Sequence, residues 1–95
     1  MFNIAFVDDN TDFLNTEIII AKNYLLSKNI NFKISEFKSG IDLLNHQEIS
    51  SFDLILLDYE MEGMTGFETA RLIRKNNYNV PIAFVTVFYE FSREG

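Results

Sequence analysis

Residues 52–66, FDLILLDYEMEGMTG, decide the fold of this chain because four consecutive apolar side chains stand directly before the carboxylate of Asp58. A short apolar run bounded by turn residues is typical of a buried strand. An ionised carboxylate is costly to bury unless a partner or a cation neutralises it. The stretch therefore predicts a central strand that ends on a negative charge, and that charge must be neutralised by a partner or a cation.

Similar runs occur on both sides of this strand and alternate with helical patterns. Residues 32–37 alternate apolar and polar side chains, which favours an edge strand. The predicted strands are residues 4–7, 32–37, 54–57 and 81–86, and the predicted helices are residues 11–27, 41–44 and 67–75. Strands that alternate with helices indicate a parallel sheet covered on both faces.

Composition limits the function. The 95 residues suffice for one small domain, and the absence of repeats or a linker makes residues 1–95 that domain. The net charge of −6 argues against contact with nucleic acid or an anionic membrane, since both require a basic face. Without cysteine there is neither a disulfide nor a thiolate metal site. No signal peptide or membrane span is visible, so we expect a cytoplasmic protein.

Polar side chains end three of the predicted strands: Asp8 and Asp9 the first, Asp58 the third and Thr86 the fourth. In a doubly wound sheet, ligands bind outside the carboxyl ends of the strands. If the first and third strands pair, about 4.8 Å apart, three carboxylates crowd together and need a cation. An all-oxygen site of this kind suits Mg²⁺. Asp9 alone would be an ordinary helix cap, but the joint placement favours a site.

Three motifs in this order resemble the receiver domain of two-component response regulators: FVDDN at 6–10, FDLILLDYEMEGMTGFE at 52–68, and PIAFVT at 81–86. The resemblance runs from residue 3 to the end of the chain. It implies a flavodoxin-like (CheY-like) α/β fold with a doubly wound parallel sheet. GMTGFETARLIRKNN at 63–77 and FVTVFYEF at 84–91 look closest to receivers joined to LytTR-type DNA-binding domains, which implies a transcriptional output.

The same resemblance implies a role for each site residue. Asp58 would be the phosphoacceptor that takes a phosphoryl group from a histidine kinase, and the domain would catalyse its own modification. Asp8, Asp9, Asp58 and the backbone carbonyl of Glu60 would hold Mg²⁺, with Asp8 acting mainly through a water. Thr86 would be the switch hydroxyl that hydrogen-bonds the phosphoryl group.

The chain also departs from the pattern of the family. Glu62 stands where the family usually has proline, Thr65 where it has Asp or Asn, and Val87 where it has a small residue. We further expect the last strand and last helix to be lacking, together with a lysine that pairs with the phosphoryl group. The receiver would then be incomplete at its C-terminus. We expect the chain to be either a fragment of a longer regulator or a species that self-associates through its exposed sheet edge.

Two other functions remain open on the sequence. One is a receiver-like interaction module that binds partners without phosphorylation, and binding of Mg²⁺ distinguishes it from a phosphoacceptor. The other is a phosphohydrolase of the haloacid dehalogenase type, but that family carries its Asp nucleophile on the first strand, whereas Asp58 follows the third.

Overall fold

The computed structural model describes residues 1–85, in which strands and helices alternate along the chain. The strands are β1 (Phe2–Val7), β2 (Phe32–Phe37), β3 (Leu54–Asp58) and β4 (Ile82–Val85). The α-helices are α1 (Thr11–Ser27), α2 (Gly40–Leu44) and α3 (Gly66–Lys75). A single 3₁₀ turn, Ile49–Ser51, leads into β3. Thr86, the predicted switch residue, lies outside the described residues.

The four strands form one parallel sheet in the order β2-β1-β3-β4. The chain steps from β1 to β2 in one direction and then returns past β1 to β3, so the strand order reverses between β1 and β3. This arrangement confirms the predicted doubly wound sheet, with β3 as an inner strand and β2 at an edge. It also creates a crevice at the carboxyl ends of β1 and β3, where ligands bind in folds of this type.

The inner strands are apolar on both sides because each face of the sheet packs against a helical layer. Along β1, Ala5 and Val7 face one layer while Ile4 and Phe6 face the other, as the two-residue period of a strand requires. The first layer contains α2 and α3 and the second contains α1. No helix within residues 1–85 has the length and apolar character needed to cross a membrane.

Helix α3 turns a different side toward the core than its apolar residues suggest. Its first turn is fixed by a capping box, in which Thr65 and Glu68 each accept a hydrogen bond from the other's backbone N–H. Helical spacing over residues 67–75 puts Phe67 on the same side as Ala70 and Ile73, but the Phe67 side chain is 50% exposed. The covered side carries Gly66, Thr69 and Ile73, and Ala70 also packs against the core.

Small residues explain that difference. A Cβ atom on Gly66 would lie 2.2 Å from the carbonyl oxygen of Asp58, so the start of α3 sits directly against the end of β3. A Cβ on Gly40 would lie 2.0 Å from the Thr69 hydroxyl, so α2 and α3 also meet at close range. The helix turns toward its smallest residues, which leaves Phe67 at the surface.

Candidate metal centre

The structure brings together three carboxylates that are distant in sequence. Asp58 is the last residue of β3, and Asp8 and Asp9 follow directly after β1. Because Val7 pairs with Leu57, these side chains emerge from neighbouring strand ends. Each of the three offers a carboxylate oxygen, and those oxygens all lie within 4.8 Å of one another. The predicted grouping of Asp8, Asp9 and Asp58 is thus present in the fold.

The three carboxylates differ in exposure and in hydrogen bonding. Asp8 is only 2% exposed, and its Oδ1 accepts a hydrogen bond of 2.9 Å from the backbone N–H of Asn10. Asp9 is exposed, and its Oδ2 accepts a bond of 2.9 Å from the N–H of Glu62. Asp58 is half-buried, and the backbone bond that its Oδ1 accepts from the N–H of Glu60 is long, at 3.4 Å. Of the three carboxylates, Asp58 therefore accepts the weakest hydrogen bond from the backbone.

The pKa of Asp58 reflects this crowding. Burial, followed by the negative charge of Asp8, raises the pKa of Asp58 to about 6. The backbone hydrogen bond from Glu60 acts in the opposite direction, while a hydrogen bond with the Asp8 side chain and the charge of Asp9 add to the rise. Like charges that share a pocket favour the protonated form of one of them. A cation among the three would reverse that preference.

A fourth carboxylate, Glu17 of α1, was missed in the sequence. Burial, and then the charges of Asp8 and Asp58, raise the pKa of Glu17 to about 7. The signal was available, because Glu17 stands three residues after Leu14 and four before Ala21, on the side of α1 that the helical period assigns to the core. An acidic side chain at such a position indicates an acidic site close to the core face of that helix.

The loop between β3 and α3 is fixed close to the site. The N–H of Tyr59 donates to the Val85 carbonyl at 3.0 Å, and the N–H of Gly66 donates to the Tyr59 carbonyl at 3.0 Å. Met61 is buried in the core, while Gly63 turns the chain with φ of +76°, a conformation that glycine adopts without strain. The position of the Glu60 carbonyl relative to a cation stays a prediction.

The donor set fits Mg²⁺. The three side chains supply only carboxylate oxygens, which hard divalent cations prefer, and Asp9 and Asp58 are open enough to leave places for water. Within residues 1–85 no other group of three or more His, Cys, Asp or Glu side chains is arranged to hold a metal. The acidic crevice also lies where the strand order reverses, so the fold and the site together define a flavodoxin-like domain with an acidic crevice at its switch point.

Comparison with known families identifies the domain more closely. Residues 4–93 match the response regulator receiver domain. The chain belongs to this family, which confirms the resemblance seen in its motifs and excludes the phosphohydrolase interpretation. Receiver domains are the phosphoacceptors of response regulators, and this chain has that role. The similarity to LytTR-type regulators is not shown by these comparisons.

Related proteins and structures agree with this assignment. The chain is 33% identical over 87 residues to the uncharacterized transcriptional regulatory protein YrkP of Bacillus subtilis, a match that covers 90% of this chain and 33% of YrkP. The response regulator TrrA of Thermotoga maritima, in complex with Mg²⁺ and BeF, superposes with a TM-score of 0.71 at 29% identity, covering 99% of this chain and 76% of TrrA.

A second structure contains a partner protein. The complex of histidine kinase ThkA with TrrA matches with a TM-score of 0.66 at 27% identity, covering 97% of this chain and 74% of the matched chain. The curated relatives are larger proteins, and this chain spans between 5% and 34% of their length.

Proposed function

We propose that residues 1–95 form one receiver domain in which Asp58 accepts a phosphoryl group at an Mg²⁺ site shared with Asp8 and Asp9, and that it works in the cytoplasm. One observation carries the proposal: the three carboxylates converge within 4.8 Å at the point where the strand order reverses. A purely structural domain gains nothing from that arrangement, because it crowds like charges around the half-buried Asp58.

Asp58 is the nucleophile in this proposal. Its carboxylate oxygen forms the new O–P bond, the P–N bond of the donor's phosphohistidine breaks, and the electron pair of that bond returns to the imidazole. The product is an aspartyl acyl phosphate. When Mg²⁺ is bound it neutralises the charge on the carboxylates and on the phosphoryl oxygens. Asp58 must be ionised to attack. Its pKa of about 6 leaves it partly protonated below neutral pH, where a bound cation would favour the ionised form.

The other residues of the site act on position and charge. Asp9 would bind the cation directly, whereas the buried Asp8, held by the N–H of Asn10, would act mainly through a bound water. The carbonyl of Glu60 would complete the ligand set. Thr86, which lies outside the described residues, is proposed as the hydroxyl that hydrogen-bonds the phosphoryl group. A phosphoryl group adds charge and three strong acceptors, enough to draw a nearby donor inward.

The proposed partner is a sensor histidine kinase, which supplies the phosphoryl group and whose pairing with a response regulator is seen in the ThkA–TrrA complex. The proposed output is control of transcription, supported by the similarity to YrkP. Because the net charge of the chain is −6, we assign any contact with DNA to another part of the regulator. The acidic crevice gives no support to the alternative function, an interaction module that acts without phosphorylation.

The test is the intact mass of the protein after incubation with acetyl phosphate and Mg²⁺. We expect an adduct of one phosphoryl group that requires Mg²⁺, disappears on addition of hydroxylamine and is absent from Asp58→Asn. Asp53→Asn, directly before the amino end of β3 and therefore at the opposite end of the strand from Asp58, is the matched control and should be modified like the native protein. A folded native protein that gains no adduct under these conditions would rule the proposal out.

A further inference from the structure

A hydrogen bond joins the acidic site to the loop that follows β3. The backbone N–H of Glu62 donates to Oδ2 of Asp9 at 2.9 Å, although the two residues are 53 positions apart in sequence. Asp9 is otherwise exposed, so an unrestrained side chain there would sample several rotamers. This bond occupies one carboxylate oxygen and leaves the other available to a cation.

The donor is the main chain and not the side chain of Glu62. Met61, the preceding residue, is buried in the core and anchors the loop, whereas Glu62 itself is exposed. The turn at Gly63 follows immediately, so the N–H of residue 62 is held between a fixed anchor and a bend. Proline, the residue that the family usually has at this position, would remove the donor, whereas every other residue would retain it, so the bond is a feature of this chain and not of the family as a whole.

We propose that the backbone N–H of Glu62 is a positioning group for the metal site, which orients Asp9 and couples residues 60–65 to occupancy by the cation. This inference rests on the proposed function, because it assigns Asp9 to Mg²⁺. The N–H polarises and orients a carboxylate that binds the metal, as outer-shell hydrogen bonds do in other metal sites. By linkage, a cation that fixes Asp9 also stabilises the loop position in which Glu62 donates to Asp9.

The decisive comparison is between Glu62→Pro and Glu62→Ala. Both variants lose the exposed side chain, but only Glu62→Pro loses the N–H. Loss of an outer-shell hydrogen bond typically weakens metal binding by about 10-fold or more, and we expect that loss for Glu62→Pro. Glu62→Ala should bind Mg²⁺ with nearly the native affinity. A titration with Mg²⁺ followed by amide NMR measures both, and thermal unfolding in EDTA confirms that each variant is folded.

A second measurement needs no proline variant. The amide of residue 62 in the native protein should exchange slowly with solvent, exchange faster in Asp9→Ala, and slow further when the native protein is saturated with Mg²⁺. Mg²⁺ affinities that are equal in folded Glu62→Pro and Glu62→Ala would overturn the proposal. So would an exchange rate at residue 62 that Mg²⁺ leaves unchanged in a protein that binds it.

The two failures are distinguishable. If the native protein does not bind Mg²⁺ at all, the proposed function fails, and the positioning role fails with it even where the amide of residue 62 still exchanges slowly. If the native protein binds Mg²⁺ and Glu62→Pro binds it equally well, only the positioning role fails.

Discussion

Asp58 lies among like charges, and the residues around it differ in how their charge is compensated. Asp8 is buried but hydrogen-bonded, Asp9 is exposed and bonded to the loop, and Asp58 accepts a long backbone bond from Glu60. Glu17 adds a fourth negative group close to the same crevice. Without a cation, this region is stabilised by protons, which makes the stability of the domain depend on pH.

We predict that the metal-free protein becomes less stable as the pH rises from about 4 to about 7. Folding raises the pKa of Asp58 from 3.8 to about 6 and that of Glu17 from 4.5 to about 7. The folded state therefore binds more protons than the unfolded chain across this window, so the free energy of unfolding decreases with pH. The contribution is complete below the unfolded values and is lost as the pH passes the folded values. Thermal unfolding in EDTA should show a midpoint a few degrees lower at pH 7.5 than at pH 5.

Matched variants identify the groups that make the stability depend on pH. The double variant Asp58→Asn, Glu17→Gln should flatten this dependence, and saturating Mg²⁺ should flatten it in the native protein. Asp12→Asn, in the exposed first turn of α1, should keep the native slope. An unchanged slope in the double variant would show that other groups control the stability.

Much of the site at residue scale was predictable from the sequence, because side chains at the ends of parallel strands must meet at one edge. That rule placed Asp8, Asp9 and Asp58 together. It does not extend to Glu17, which reaches the site from a helix face, or to the Glu62 N–H, because a backbone donor has no signature in the sequence. Contacts of that kind depend on the path of a loop.

At the scale of elements, periodicity predicted where helices and strands lie better than how closely they pack. The bounds of α1 agree with the helical pattern over residues 11–27. Apolar spacing alone would place Phe67 on the covered side of α3, but Phe67 is exposed. Hydrophobic periodicity takes no account of packing between small residues. Gly40, Gly66 and Thr69 set that orientation. A search for large apolar residues at helical spacing leaves such small residues out.

We predict that Gly40→Ala destabilises the fold by about 1–3 kcal/mol, the usual cost of overpacking. The new Cβ would meet the Thr69 hydroxyl at 2.0 Å, and Thr69 is fully buried. Thr69→Ala removes that hydroxyl, so the double variant should be more stable than the sum of the single effects by about 1 kcal/mol. Urea unfolding of the four proteins measures this coupling.

Gly63→Ala serves as the control for this cycle. No atom lies within 4 Å of a Cβ at position 63, and its cost arises only from the positive φ of +76°. It should show no coupling to Thr69→Ala. Additive effects of Gly40→Ala and Thr69→Ala would contradict the close contact between α2 and α3.

At the scale of the whole molecule, the face that carries α1 has an apolar groove. The groove is lined by Phe2, Ile4, Ala21, Tyr24, Leu25, Ile30 and Leu54. Tyr24 in this lining is 60% exposed, and Ile20 on the same helix is 64% exposed. Within the described part of the chain, β4 pairs only with β3, so its outer edge has no neighbouring strand. Exposed apolar surface and unpaired strand edges favour contact between copies.

The self-association expected from the sequence therefore stays a prediction with a defined test. Sedimentation velocity should show a mass that increases with protein concentration, and Tyr24→Glu should shift the protein toward the monomer. Ile41→Glu is the control, because Ile41 is similarly exposed but belongs to α2 on the opposite face of the sheet. A monomer at every concentration tested would contradict the prediction.

The central claim is that Asp58 is the residue that becomes phosphorylated, and the most direct measurement locates the modification. Borohydride reduces an aspartyl acyl phosphate to homoserine, which peptide mass spectrometry detects at a defined position. After treatment with acetyl phosphate and Mg²⁺, followed by borohydride, we expect homoserine at position 58 alone. Homoserine at Asp8, Asp9 or another position, or none in a folded protein that binds Mg²⁺, would contradict the assignment of Asp58.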